Sequence, residues 1–79
     1  MQLIGGIDAN AVKITVNQAY QAHGMLSYIK VDNEVMLVTR GEGTTQLRVR
    51  RGMAGTTKAS HSNGATVTAQ GAANFLTAD

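Results

Sequence analysis

Four stretches of this chain alternate apolar and polar residues with a period of two, the spacing that turns one strand face inward and leaves the other in water. In residues 12–16, Val12, Ile14 and Val16 share one face and Lys13 and Thr15 the other. In residues 27–31, Ile29 and Val31 oppose Tyr28 and Lys30; in 45–51, Leu47 and Val49 point in while Arg48 and Arg50 point out. Residues 65–69 repeat the pattern with Ala65, Val67 and Ala69 against Thr66 and Thr68. A fifth stretch, residues 34–39, is instead apolar in succession at Val35, Met36, Leu37 and Val38. Continuous apolarity means cover on both faces, so this strand is expected at the centre of the sheet.

Turn chemistry joins these runs. Asp32-Asn33 is a two-residue hairpin pair whose side chains tolerate left-handed backbone, and Gly41 and Gly43 punctuate the next reversal. The strands of 27–51 therefore read as a β-meander. Residues 52–63 show no strand period but carry Gly52, Gly55, Thr56, Thr57, Ser60 and Ser62, the composition of an ordered loop closed by its own side-chain bonds. Asn63-Gly64 then turns the chain into the last strand. Residues 17–24 read as a loop. At the start, residues 1–7 are apolar around Gly5-Gly6 and precede a polar turn at residues 8–10; they read either as an N-terminal arm (1–10) that packs onto something else or as a first strand of the same domain. Residues 71–79 predict a short helical docking segment carrying Phe75 and Leu76. The expected architecture is all-β: a single domain over 1–79, a small meander curling into a sandwich or open barrel, with the arm and the C-terminal segment attached.

Composition narrows the role. A domain of 79 residues buries about 60 to 65% of its unfolded surface. Such a core rarely supplies more than ~3 to 5 kcal/mol without a staple or a partner. There is no Cys, and His23 and His61 lack ligand-like spacing, so neither disulfide nor structural zinc is expected and no cofactor is implied. Association, as a homo-oligomer or on a larger scaffold, is the expected source of extra stability. Net charge is +2 with 15% charged residues, too weak a field to argue for nucleic acid. No stretch has the length or flanks of a membrane span or signal peptide, so a soluble protein made in a cytoplasm is expected.

The string Ile29-Lys30-Val31-Asp32-Asn33-Glu34-Val35-Met36-Leu37-Val38, followed by Leu47-Arg48-Val49-Arg50-Arg51-Gly52, Gly55-Thr56, His61 and Gly64-Ala65-Thr66-Val67, resembles a β module of tailed-bacteriophage virion proteins. There the pattern is ID-x-E-x-M-x-V, then L-x-V-x-RG-x-x-GT, then H-x-x-GA-x-V; Val31 stands here for the first residue of the ID pair. The match covers about half the chain and carries no catalytic residues. In size and composition the chain is most similar to capsid decoration, or cement, proteins. That resemblance implies a structural protein on the capsid exterior, a homotrimer bound to the phage major capsid protein, made in the host cytoplasm. Neck, tail or fibre components share the module, and a small nucleic-acid-binding β-barrel is the alternative from another class.

Individual side chains sort accordingly. Asp32 and Glu34 lack the aromatic platforms of a glycosidase pair; Glu34 is expected to partner Arg51 or loop amides, with Asp32 serving the turn. Arg51, at the loop entrance, has a guanidinium fork able to hold several carbonyls. His61 has no nucleophile at a recognisable spacing and is expected to bond the loop backbone. Gly52, Gly55 and Thr56 lack a GK[ST] ending, so they, with Gly64, serve turns and not a phosphate. No enzymatic activity is expected. Arg40, Arg48, Arg50 and Arg51 form a basic strip read as solvated or facing an acidic protein; without aromatic interleaving, nucleic acid is disfavoured. The expected partner surface comprises Leu3, Ile4, Ile7, Arg48, Arg50, Met53, Phe75 and Leu76.

Overall fold

The computed structural model describes residues 1–20, 27–41 and 43–71. Six strands follow in chain order: β1 (Leu3–Ile4), β2 (Lys13–Val16), β3 (Ser27–Val31), β4 (Glu34–Arg40), β5 (Gln46–Met53) and β6 (Val67–Gly71). They make one antiparallel sheet in the order β1-β2-β5-β4-β3-β6. The sheet curls into a half-barrel, so the core lies within one folded layer and not between the two layers of a sandwich.

The predicted alternation decides which face curls inward. Ile14 and Val16 of β2, Leu47 and Val49 of β5, Met36 and Val38 of β4, and Ile29 and Val31 of β3 all lie in one buried cluster. Full burial of each such side chain is worth about 1.5 to 3 kcal/mol. β4 sits between β5 and β3, as its continuous apolar run requires. Val35 is buried on its outer face beside its register partner Met53, and Leu37 is half-buried there.

Residues 1–7 correct the reading of a free arm. Leu3 is fully buried in the core, and Met1 and Ile7 pack against it. Leu3 pairs with Val16 on one side, while its N–H donates to the Ala65 carbonyl at 2.9 Å and its carbonyl accepts from the Gly64 N–H at 2.7 Å on the other. Gln2 bridges to Thr66, so β1 brings the two edges of the curled sheet together at one end. The physical reason is plain: an apolar side chain plus a strand's unpaired amides are satisfied together only by joining a sheet. Leu3 therefore belongs to the core and not to a partner surface. Ile4 stays half exposed at 50%. The C-terminal segment expected to be helical, with Phe75 and Leu76, lies outside the described residues beyond Gly71, as do residues 21–24 of the 17–24 loop.

β5 carries the irregularity that matters most. Its register with β4 runs Leu37↔Arg50 and then Val35↔Met53, so Arg51 and Gly52 together oppose the single residue Met36. This bulge places Gly52 at φ +62, and a Cβ there would press on the Thr56 carbonyl at 3.3 Å. Its effect is to end regular pairing where the 52–61 loop folds back over Glu34.

Candidate functional site

Two regions hold the polar chemistry: a buried ionic hub at one end of the half-barrel and a basic outer face. The hub is centred on Glu34, the first residue of β4, whose inward parity places a carboxylate in line with Met36 and Val38 at the edge of the core. It is 1% exposed. Its Oε2 accepts from Arg51 Nε at 2.7 Å and the Gly52 N–H at 3.0 Å. Its Oε1 accepts from Arg51 Nη2 at 2.9 Å and the Ala59 N–H at 3.0 Å, and lies 2.8 Å from His61 Nε2.

Arg51 uses its whole fork. Besides the two bonds to Glu34, Nη1 donates to the carbonyls of Asp8 and Ala11, each at 2.8 Å, and Nη2 donates to the Ala59 carbonyl. A guanidinium has five N–H donors, and all five are engaged. One side chain thus ties β5 to β4, to the return loop and to the turn after β1. The expectation for Glu34 and Arg51 holds in both its alternatives.

His61 behaves differently from its expectation. Its backbone bridges to Ile7, but its ring spans two carboxylates, with Nδ1 2.8 Å from Asp32 Oδ2 and Nε2 2.8 Å from Glu34 Oε1. The hairpin turn explains this: Asp32 alone of the Asp32-Asn33 pair takes positive φ, +53, and its carboxylate reaches the ring. Asp32 therefore serves the ring as well as the turn. The spacing signal existed, since ID-x-E places two carboxylates two residues apart, but nothing along the chain says that a loop 27 residues later inserts a ring between them.

Burial pushes the Glu34 carboxyl up, but the bonds from Arg51, His61, Ala59 and Gly52 outweigh it and hold the group at about 2, below its ordinary 4.5. Thr56 completes the loop, its hydroxyl donating to the Met53 carbonyl at 2.6 Å and accepting the Val35 N–H at 3.0 Å. Among the described residues, no group of three or more His, Asp and Glu side chains is placed to hold a metal.

No family model, curated protein or solved structure matches this chain. Its chemistry is therefore read from its own residues.

Among the described residues, the charge on the outer strand faces is one-sided. Of the seven Lys and Arg residues, Arg51 lies in the hub and Lys58 in the loop; Lys13, Lys30, Arg40, Arg48 and Arg50 remain, all exposed on strands. Arg48 of β5 has Lys13 of β2 as its register partner on one side and Arg40 of β4 on the other. Among the described residues, no ion pair engages these side chains. Lys13 was missing from the strip read along the sequence, because only the β2–β5 pairing brings it beside Arg48. Met53 is half-buried at the end of β5, and Ile7 is partly covered by the core. No helix among the described residues is long and apolar enough to cross a membrane.

Proposed function

We propose that this chain is a structural virion component of a tailed phage, a capsid decoration protein that binds the major capsid protein from the capsid exterior, as a homotrimer. The observation that supports it most is the fate of the motif residues. Asp32, Glu34, Arg51, Gly52 and His61 converge on the one hub, where their polar groups engage one another, and Thr56 fastens the adjoining loop to Met53 and Val35. Side chains so engaged hold a shape and leave the outer strand faces to meet a partner. A small fold of this kind gains by lattice binding, since a partner that binds only the folded form shifts the equilibrium toward it.

The test is co-sedimentation of the purified chain with phage heads, with copies per particle counted by mass. Saturable binding at hundreds of copies fits a decoration protein; a few to dozens fits a neck, tail or fibre part carrying the same module. Absence from virions and from head pellets would overturn the proposal.

A further inference from the structure

A cavity of about 320 Å³ opens between β2, β5 and the β4–β5 turn, lined by Lys13, Thr15, Arg40, Gly41, Gln46 and Arg48 among others. We infer that this cavity is an anchor site for carboxylates of an acidic partner protein, with Arg50 extending the contact along β5. The inference rests on the reading of the chain as a protein-binding virion component and names the chemistry of that contact.

Three observations carry it. First, Lys13, Arg48 and Arg40 stand at neighbouring register positions across three strands, only about 5 Å from one strand to the next. Like charges set opposite one another cost stability, and no carboxylate among the described residues offsets them. A ligand bringing two negative groups would. Second, backbone amides beside the cavity are already engaged: Ile14 and Leu47 form a hydrogen-bonded pair of the β2–β5 ladder, and the Gln46 N–H donates to Thr44 Oγ1 at 3.2 Å. Small free oxyanions are favoured by fixed clusters of backbone N–H groups, whereas here long side chains supply the charge. Third, the charge continues past the cavity to Arg50, two residues and about 7 Å further along β5. A single small anion would leave that arginine unused; an extended acidic surface engages both. Aromatic side chains, on which nucleobases stack, are absent from the lining.

The experiment is a titration of the isotope-labelled full chain followed by backbone amide NMR. The probes are a ten-residue Asp/Glu-rich peptide, tripolyphosphate and a ten-residue thymidine oligonucleotide, each at the same low ionic strength. The peptide is expected to shift amides of residues 13–15, 40–41 and 46–50. Its affinity should fall at least tenfold in Arg48→Glu and threefold or more in Arg50→Ala, with both variants retaining the wild-type spectrum elsewhere. No peptide shifts at these residues, tighter binding of tripolyphosphate or the oligonucleotide, or wild-type affinity in Arg48→Glu would each overturn the inference. Peptide binding here without sedimentation on heads would leave the anchor standing and sink the virion assignment, so the two failures read out separately.

Discussion

Arg51 and Glu34 form a two-bond ion pair, at 2.7 and 2.9 Å, with side chains only 3% and 1% exposed. Burying two charges costs more than their attraction returns unless the remaining donors and acceptors are filled. Here they are, by three carbonyls on the arginine side and by two amides and an imidazole on the glutamate side. Breaking one member should therefore cost about 3 to 5 kcal/mol, comparable with the whole stability of a domain this size. Arg51→Met and Glu34→Leu are each expected to be largely unfolded in water by circular dichroism. The Arg51→Met/Glu34→Leu double variant should lose much less than the two single losses added.

Acid should act through the same carboxylate. Glu34 titrates at about 2 in the fold against 4.5 ordinarily, so the unfolded chain binds the proton first as pH falls. The resulting stability is fully present above pH 4.5 and is lost as pH drops toward 2, amounting to about 3 kcal/mol over that window. Urea midpoints measured from pH 6 to pH 2 should fall most steeply below pH 4.5. A flat profile across that range would contradict the hub as described.

The strands were legible because their instruction is local. Residues 27–31 alternate within one element bounded by a turn pair, and the observed β3 has those same limits; the continuous run at Val35 to Val38 marked the central strand for the same reason. Glu34 and Arg51 were legible as partners because a charged residue on an inward parity needs an opposite one. What stayed hidden was long-range. Nothing in residues 1–7 alone says whether Leu3 joins the domain or leaves it, because that depends on a backbone edge supplied by residues 64–67. His61 and Lys13 were misjudged in the same way: each acquires its neighbours from strand order, which a period-two pattern does not encode.

One turn carries a residue its backbone does not favour. Met53 to Thr56 closes with a Thr56 N–H to Met53 carbonyl bond of 3.0 Å, and both central residues have positive φ, Ala54 at +54 and Gly55 at +76. An L-residue with a Cβ is strained there, while Asn-Gly is the preferred pair for such turns. Ala54→Asn should stabilise the chain by about 0.5 to 1 kcal/mol, seen as a higher urea midpoint with unchanged slope.

Gly41 and Gly55 separate two costs that positive φ usually confounds. A Cβ on Gly41, at φ +98, would lie 2.2 Å from the Gln46 carbonyl oxygen, whereas one on Gly55 meets nothing within 4 Å. Gly55→Ala should lose about 1 to 2 kcal/mol from backbone strain alone. Gly41→Ala should lose clearly more, because backbone must move as well. Equal losses in denaturant titrations would mean that the β4–β5 turn yields easily.

The cation row at Lys13, Arg48 and Arg40 makes a prediction about the chain without any partner. Opposed like charges on a sheet cost about 0.2 to 1 kcal/mol per pair, and Arg48 is a register partner of both others. Arg48→Gln should therefore raise the stability of the isolated chain by about 0.5 to 1 kcal/mol at low salt. At 1 M salt the screening length shrinks to about 3 Å, shorter than the ~5 Å between neighbouring strands, so the gain should largely vanish. A surface arginine that merely solvates its strand predicts no gain at either ionic strength. Thermal or urea denaturation of the two proteins at 20 mM and 1 M salt distinguishes these outcomes, because only mutual repulsion links the variant's advantage to screening.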